Sequence, residues 1–102
     1  MMESEPLIEY WISTTIKKKW MVLILGGDKD CELKGNTEWW CGRLEKAKGL
    51  LGSGKKVGIN FLCGRDSYKY EVGKITFHAR PLKIDEQVYQ TYYKIWLGDR
   101  IG

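Results

Sequence analysis

The sequence predicts an α+β protein made of two related β-rich units with antiparallel strands, each unit packed by a helix. The first observation is a repeated pattern: residues 18–27 and 55–64 both run from lysines through an apolar, strand-length segment to leucine and glycine. The second is that further positions match at an offset of 37 or 38 residues, in the pairs Lys19/Lys56, Leu25/Leu62, Gly27/Gly64, Gly35/Gly73, Trp39/Phe77 and Leu44/Leu82. Self-similarity at such a period is typical of a duplicated supersecondary unit.

The length and composition predict a single domain over residues 1–102. A hydrophobic content of 43%, with 13% aromatic residues, is sufficient for a packed core. We expect repeat 1 to cover about residues 5–51 and repeat 2 about residues 55–98, joined by the flexible Gly-Ser-Gly of residues 52–54. An approximate two-fold axis near this joint would relate the two units.

The first unit is expected to contain mostly strands and one helix. Residues 7–16 fit both helical and alternating strand patterns, and we favour a helix because a strand would adjoin the next one without Gly or Pro between them. Residues 19–25 are apolar on both faces and predict a central strand. Short strands at residues 31–34 and 38–41 and a helix at residues 43–51 complete the unit.

The second unit begins with the other strong strand, at residues 57–62. Residues 68–72 and 74–79 predict a hairpin that turns at Gly73, and Pro81 ends the pairing.

The C-terminal segment predicts a helix with Asp85 as its N-cap and Gly98 at its end. Its core face would consist of apolar residues at helical spacing, namely Val88, Tyr92, Ile95 and Trp96. Tyr89 and Tyr93 widen this stripe, so the helix is expected either to be buried or to meet a partner.

No catalytic, cofactor or metal site is predicted. Residues 49–55 match G-x-x-x-x-G-K, but a helix precedes and a strand follows, which reverses the order that a phosphate-binding loop requires. Three cysteines and one histidine are too widely spaced for the close ligand pairs of structural zinc sites. Since one histidine and scattered carboxylates give no acid–base or nucleophilic set, we expect a non-enzymatic protein.

Charge and targeting features indicate an intracellular, cytoplasmic protein. The net charge is +4, and the basic excess lies entirely in residues 52–102. The cysteines form no secreted disulfide framework. Glu3 and Glu5 precede the first apolar segment where a signal peptide would carry basic residues, and no apolar run is long enough to span a membrane. The sequence does not indicate an oligomeric state.

Aromatic and apolar residues without an obvious core role indicate a partner-binding surface. If residues 38–41 form a strand, Trp39 and Trp40 point to opposite faces, and the match of Trp39 to Phe77 assigns Trp40 to the surface. Met21 and Leu23 form an apolar face that something must cover. We therefore predict a module that binds a peptide or protein segment in a groove between the repeats, with contacts from Trp40, Tyr89, Tyr93, Met21 and Leu23.

The alternative is a small basic nucleic-acid-binding protein. The basic second half, interleaved with aromatic residues, suits phosphate contacts and base stacking. In that case we expect the phosphate contacts to include Lys55, Lys56 and Arg80.

In overall style the chain resembles the small orphan proteins of filamentous viruses that infect hyperthermophilic archaea. The resemblance rests on compact size, interleaved lysine and glutamate, frequent tyrosine, tryptophan and isoleucine, and the repeat described above. It implies a viral protein acting in the host cytoplasm and assigns a role to no particular residue.

Overall fold

The computed structural model describes residues 7–101, which form two helices and seven strands. The chain order is β1 (Tyr10–Thr15), α1 (Lys18–Leu25), β2 (Cys31–Gly35), α2 (Glu38–Gly52), β3 (Val57–Cys63), β4 (Asp66–His78), β5 (Leu82–Ile84), β6 (Gln87–Tyr89) and β7 (Tyr92–Ile101). The predicted α+β class is confirmed.

Five of the strands form one curled sheet in the order β1-β3-β4-β7-β2, and β5 and β6 form a separate hairpin. Among the strands of residues 7–101, only β1 and β3 pair in parallel, whereas β3–β4, β4–β7 and β2–β7 are antiparallel. The parallel pair requires a long connection, and α1, β2 and α2 lie within it.

Both helices pack on one face of this sheet. The buried sheet residues alternate along the strands, as in β1, where Ile12 and Thr14 are buried while their neighbours are exposed. Met21 and Ile24 of α1, and Leu44 and Ala47 of α2, join the core from the helix side; the sheet contributes Val57, Ile59, Phe61, Tyr70, Val72, Ile75, Tyr93 and Ile95. The opposite face of the sheet is therefore left without a helix among residues 7–101.

Helix α2 begins earlier than the sequence analysis predicted. Thr37 is the N-cap, and its hydroxyl oxygen accepts a hydrogen bond from the Trp40 amide at 3.2 Å. The predicted helix at residues 43–51 is confirmed as part of α2, but the predicted strand at residues 38–41 is wrong because it forms the first turn. Trp39 and Trp40 thus diverge around a helix rather than across a strand.

Helix α1 replaces the predicted strand at residues 19–25. Met21 and Ile24, three residues apart, are the buried positions, so the helix contacts the core along one narrow side. A continuous apolar run does not distinguish a strand from a helix by its pattern alone. The predicted strands at residues 31–34 and 57–62 are confirmed as β2 and β3.

The predicted duplication is corrected by these assignments. Residues 18–25 form a helix, whereas their counterparts at 55–62 lead into and form a strand, so the two segments do not share the same elements. Residues 52–54 close α2 and lead into β3, with Gly54 in a left-handed conformation at φ 80°; they join a helix to a strand rather than two equivalent units.

Three further predictions are wrong. Residues 10–15 of the first apolar segment form strand β1, not a helix. The predicted turn at Gly73 is a register irregularity inside the long strand β4, which folds back from β3 at Gly64 instead. The C-terminal segment forms β5, β6 and β7, with Asp85 at φ 54° in a tight turn, because β7 is paired along both of its sides, with β4 and with β2.

Among the described residues, neither helix is long and apolar enough to cross a membrane.

Candidate functional site

The helix-free face of the sheet carries two tryptophans from separate strands. On β1, Trp11 stands opposite Gly58 of β3 and is 39% exposed. A Cβ atom at Gly58 would fall 2.5 Å from the Trp11 ring, so the indole lies directly across this glycine. On β7, Trp96 is half-buried and stands opposite Lys74 of β4.

Two lysine side chains lie beside the Trp96 indole and one lies beside the Trp11 indole. The ammonium groups of Lys74 and Lys94 lie 4.9 Å and 4.2 Å from the Trp96 ring centroid, and that of Lys69 lies 5.6 Å from the Trp11 centroid. These distances are within the range of attractive cation–π contacts. Within residues 7–101, no carboxylate lies within 4.0 Å of any of these three ammonium groups. We call this set, Trp11, Trp96, Lys69, Lys74 and Lys94, the aromatic–lysine face.

A hydrogen-bonded row holds Trp96 in place. The indole Nε1–H donates to the Thr76 hydroxyl oxygen at 3.2 Å, which leaves the hydroxyl proton free to be donated to His78 Nε2 at 2.8 Å. The His78 ring stacks on Tyr92, with centroids 4.8 Å apart and an angle of 10° between planes. Arg80 Nε donates to the Tyr92 hydroxyl at 3.2 Å. The row therefore fixes the orientation of the Trp96 indole.

Two of the three predicted nucleic-acid contacts border this face. Lys56 Nζ lies 2.9 Å from the Glu71 carboxylate, beside Gly58 and Trp11, and Arg80 ends the row just described. Lys55 is exposed in the connection between α2 and β3. The structure therefore brings Lys56 and Arg80 to the margins of the aromatic–lysine face.

The predicted partner contacts do not form one groove. Met21 and Tyr93 are each only 2% exposed and belong to the core, so their assignment as partner contacts is corrected. Tyr89 packs its ring on Gly35, and Trp40 is half-buried near the Lys34 ammonium at 5.1 Å. Leu23 alone lies on an exposed surface, the outer side of α1.

Tyr93 has a structural role that the sequence analysis missed. Its hydroxyl donates to Glu45 Oε2 at 2.7 Å and thereby ties β7 to α2. Burial raises the pKa of this phenol above its usual value. The hydroxyl contacts with Glu45 and Cys41 raise the pKa further, because ionisation removes the proton that the phenol donates, and the Glu45 carboxylate also repels the phenolate.

None of the five residues of the aromatic–lysine face was predicted as a contact from the sequence. Trp96 was placed in a helix core, and Trp11 in a segment whose helical assignment was wrong. A signal was present: Lys74, Thr76 and His78, like Tyr92, Lys94 and Trp96, alternate with apolar residues at the period of two expected of strands. That alternation was outweighed by the helical spacing of Tyr92, Ile95 and Trp96.

The described residues hold no group of three or more histidine, cysteine, aspartate or glutamate side chains placed to bind a metal ion. Comparison with protein-family models, with curated proteins and with solved structures found no match to the chain. The geometry of the chain itself therefore carries the functional argument.

Proposed function

We propose that the aromatic–lysine face binds single-stranded nucleic acid without strong sequence preference. The observation that carries this proposal is the placement of three lysines, free of carboxylate partners within residues 7–101, around two indoles on a sheet face that no helix there covers. Exposed sheet faces that present aromatic rings and basic side chains suit unpaired bases, which stack on the rings while their phosphates meet the cations.

Each element of the face has a defined task in this proposal. Trp11 and Trp96 provide stacking surfaces, and every base has a flat ring that can use them. In the free protein the ammonium groups of Lys74 and Lys94 lie beside the Trp96 indole in cation–π contacts. On binding, each lysine can turn to a nearby phosphate and exchange this contact for a stronger, charge-assisted hydrogen bond to the phosphate oxygens. Thr76 and His78 keep Trp96 in place while this occurs.

The test is a fluorescence anisotropy titration of a labelled oligothymidylate at several salt concentrations. Trp96→Ala should weaken binding by about 5- to 150-fold, since stacking of one base contributes about 1–3 kcal/mol. The double variant Lys74→Gln/Lys94→Gln should reduce the slope of log K against log salt by about 1.4, because about 0.7 is lost per phosphate contact on a single strand.

The matched control is Trp39→Ala. Trp39 is 62% exposed on α2, where the Arg43 guanidinium lies 3.5 Å from its ring centroid, so it is also a tryptophan beside a cation but lies outside the proposed face. Its replacement should leave affinity unchanged, and thermal melting should show that both variants remain folded. Equal losses for Trp39→Ala and Trp96→Ala, or no binding of wild type at low salt, would refute the proposal.

A second candidate is a protein–protein contact through the outer side of α1. Because this short helix contacts the core only through Met21 and Ile24, its other apolar side chains are exposed to solvent: Val22 is 55% exposed, Leu25 40% and Leu23 36%. Exposed apolar side chains of this kind are typical of a docking surface for another protein segment.

Affinity capture from nuclease-treated cell extract tests this candidate. Proteins retained by wild type should be lost with Val22→Glu, which places a charge on the most exposed of these three residues, and kept with Lys55→Glu, a charge change at an exposed site elsewhere. Retention of the same proteins by both variants would rule out these side chains as the contact.

A further inference from the structure

A cavity of about 540 Å³ opens between three parts of the chain that are distant in sequence, residues 15–20, 29–34 and 83–85. Its walls come from the end of β1 and the start of α1, from Lys29 beside β2, from β2 itself, and from the tip of the β5–β6 hairpin. Its volume lies in the range of small-molecule sites. None of the five residues of the aromatic–lysine face contributes to its lining.

One half of the cavity holds two lysines that share a single carboxylate. Glu32, only 8% exposed, lies 2.8 Å from Lys29 Nζ and 3.7 Å from Lys34 Nζ. Its Oε1 atom also accepts from the Leu33 amide at 3.2 Å. Burial lowers the pKa of Lys34, an effect that Glu32 partly offsets. The single negative charge of Glu32 therefore pairs with the positive charges of both Lys29 and Lys34.

The other half has the same imbalance. Lys17 Nζ lies 3.1 Å from Asp85 Oδ1 across the mouth of the cavity. Lys83, the neighbouring lysine of β5, has no carboxylate within 4.0 Å among the described residues. With four lysines and two carboxylates in its lining, the cavity carries a formal charge of about +2 at neutral pH.

The start of α1 adds further positive potential. Lys17 is its N-cap and provides no side-chain hydrogen bond to the first amides, and the first turn contains no acidic residue. Lys18 and Lys19 follow, so three cations stand at the positive end of the helix dipole, where acidic groups are normally favoured. An anion at this end would meet free amide groups as well as lysines.

We propose that this cavity binds a small phosphomonoester, with its phosphate between the start of α1 and the four lysines. A phosphomonoester carries a charge of about −1.5 to −2 at neutral pH, which matches the excess of the lining. Its organic part would lie against the apolar wall formed by Trp20, Ile16 and Ile84. The site is separate from the nucleic-acid function proposed above and uses different residues.

The experiment is an isothermal titration of the full chain with adenosine monophosphate, inorganic phosphate and adenosine. Adenosine monophosphate should bind, inorganic phosphate should bind more weakly or equally, and adenosine should not bind. Lys83→Ala should weaken adenosine monophosphate binding at least tenfold, and this lysine is exposed, so the variant is expected to fold. Lys55→Ala, an exposed lysine outside the cavity, is the control and should bind as wild type does.

The variant Trp96→Ala separates the two proposals. If adenosine monophosphate occupies the cavity, its affinity is unchanged in Trp96→Ala and reduced in Lys83→Ala. Loss of binding in Trp96→Ala alone, equal binding of adenosine, or no binding of the phosphate probes would overturn the cavity proposal and leave the oligothymidylate result unaffected.

Discussion

The contact between Tyr89 and Gly35 gives the sharpest test of how the hairpin is attached to the sheet. A Cβ atom built at Gly35 of β2 would fall on the Tyr89 ring, far inside van der Waals distance, so this ring occupies the place of a side chain. Tyr89 is the last residue of β6, and the hairpin β5–β6 carries Lys83 and Asp85 into the cavity. Gly35→Ala should therefore expel the ring and loosen the hairpin.

The size of the effect follows from two opposing contributions. Forcing a methyl group into a filled site costs typically about 1–3 kcal/mol, and we take about 2 kcal/mol because the half-buried ring can move outward. Replacing glycine by alanine within a strand returns about 0.5 kcal/mol through the unfolded chain. The net loss in unfolding free energy should be about 1.5 kcal/mol, which lowers Tm by about 6–12 °C for a domain of this size.

A double-mutant cycle isolates the cause. In a Tyr89→Ala background the ring is absent, so Gly35→Ala should stabilise the protein by about 0.5 kcal/mol. The coupling between the two positions is then about 2 kcal/mol, within the range seen for residues in contact. Urea unfolding followed by tryptophan fluorescence measures all four free energies.

Gly42→Ala is the matched control. None of residues 7–101 comes within 4 Å of a Cβ atom at Gly42, which is an exposed residue of α2, so this change should stabilise the protein by up to about 1 kcal/mol. If Gly35→Ala lowers the unfolding free energy equally in the wild-type and Tyr89→Ala backgrounds, the Tyr89 ring is not the reason that position 35 requires glycine, and this explanation is refuted.

Three other predictions concern the helix start and two titrating groups. Thr37→Ala should lower the unfolding free energy by about 1 kcal/mol in urea titrations by removing the α2 cap, whereas Thr37→Ser should retain most of it. Tyr93→Phe should remove, from ultraviolet titrations, one phenol that ionises above the usual pH range of tyrosine, because burial and Glu45 raise its pKa; an unchanged high-pH limb would contradict this. The pKa of Lys34 in the folded protein lies below its ordinary value of 10.5, so at pH values just below 10.5 the unfolded chain binds this proton more readily than the folded protein does. The unfolding free energy should therefore rise with pH as the pH passes from the folded pKa to the unfolded pKa of Lys34. Denaturation at about pH 8–11 measures this rise, which should be absent in Lys34→Met.

The sequence by itself determined the elements whose signals are local. The α2 helix is specified by its apolar spacing at Leu44 and Ala47, and β3 by its short run of apolar and β-branched residues bounded by charge and glycine. These signals, with the large apolar fraction, were enough to predict a mixed α+β domain. They said nothing of which strands would be neighbours.

Only the tertiary structure decided the elements with ambiguous patterns, and with them the candidate site. Residues 20–25 are continuously apolar, a pattern that predicted a strand, but packing selected Met21 and Ile24 for the core and the segment is helical. Residues 92–96 fit both periods, and β7 is a strand because β4 and β2 pair with it on either side. Such pairing joins residues as far as 65 positions apart, as between Cys31 and Trp96, and its hydrogen bonds outweigh local preference. Trp11 and Trp96 share a face for the same reason: register, which no local pattern encodes, sets which side chains point together.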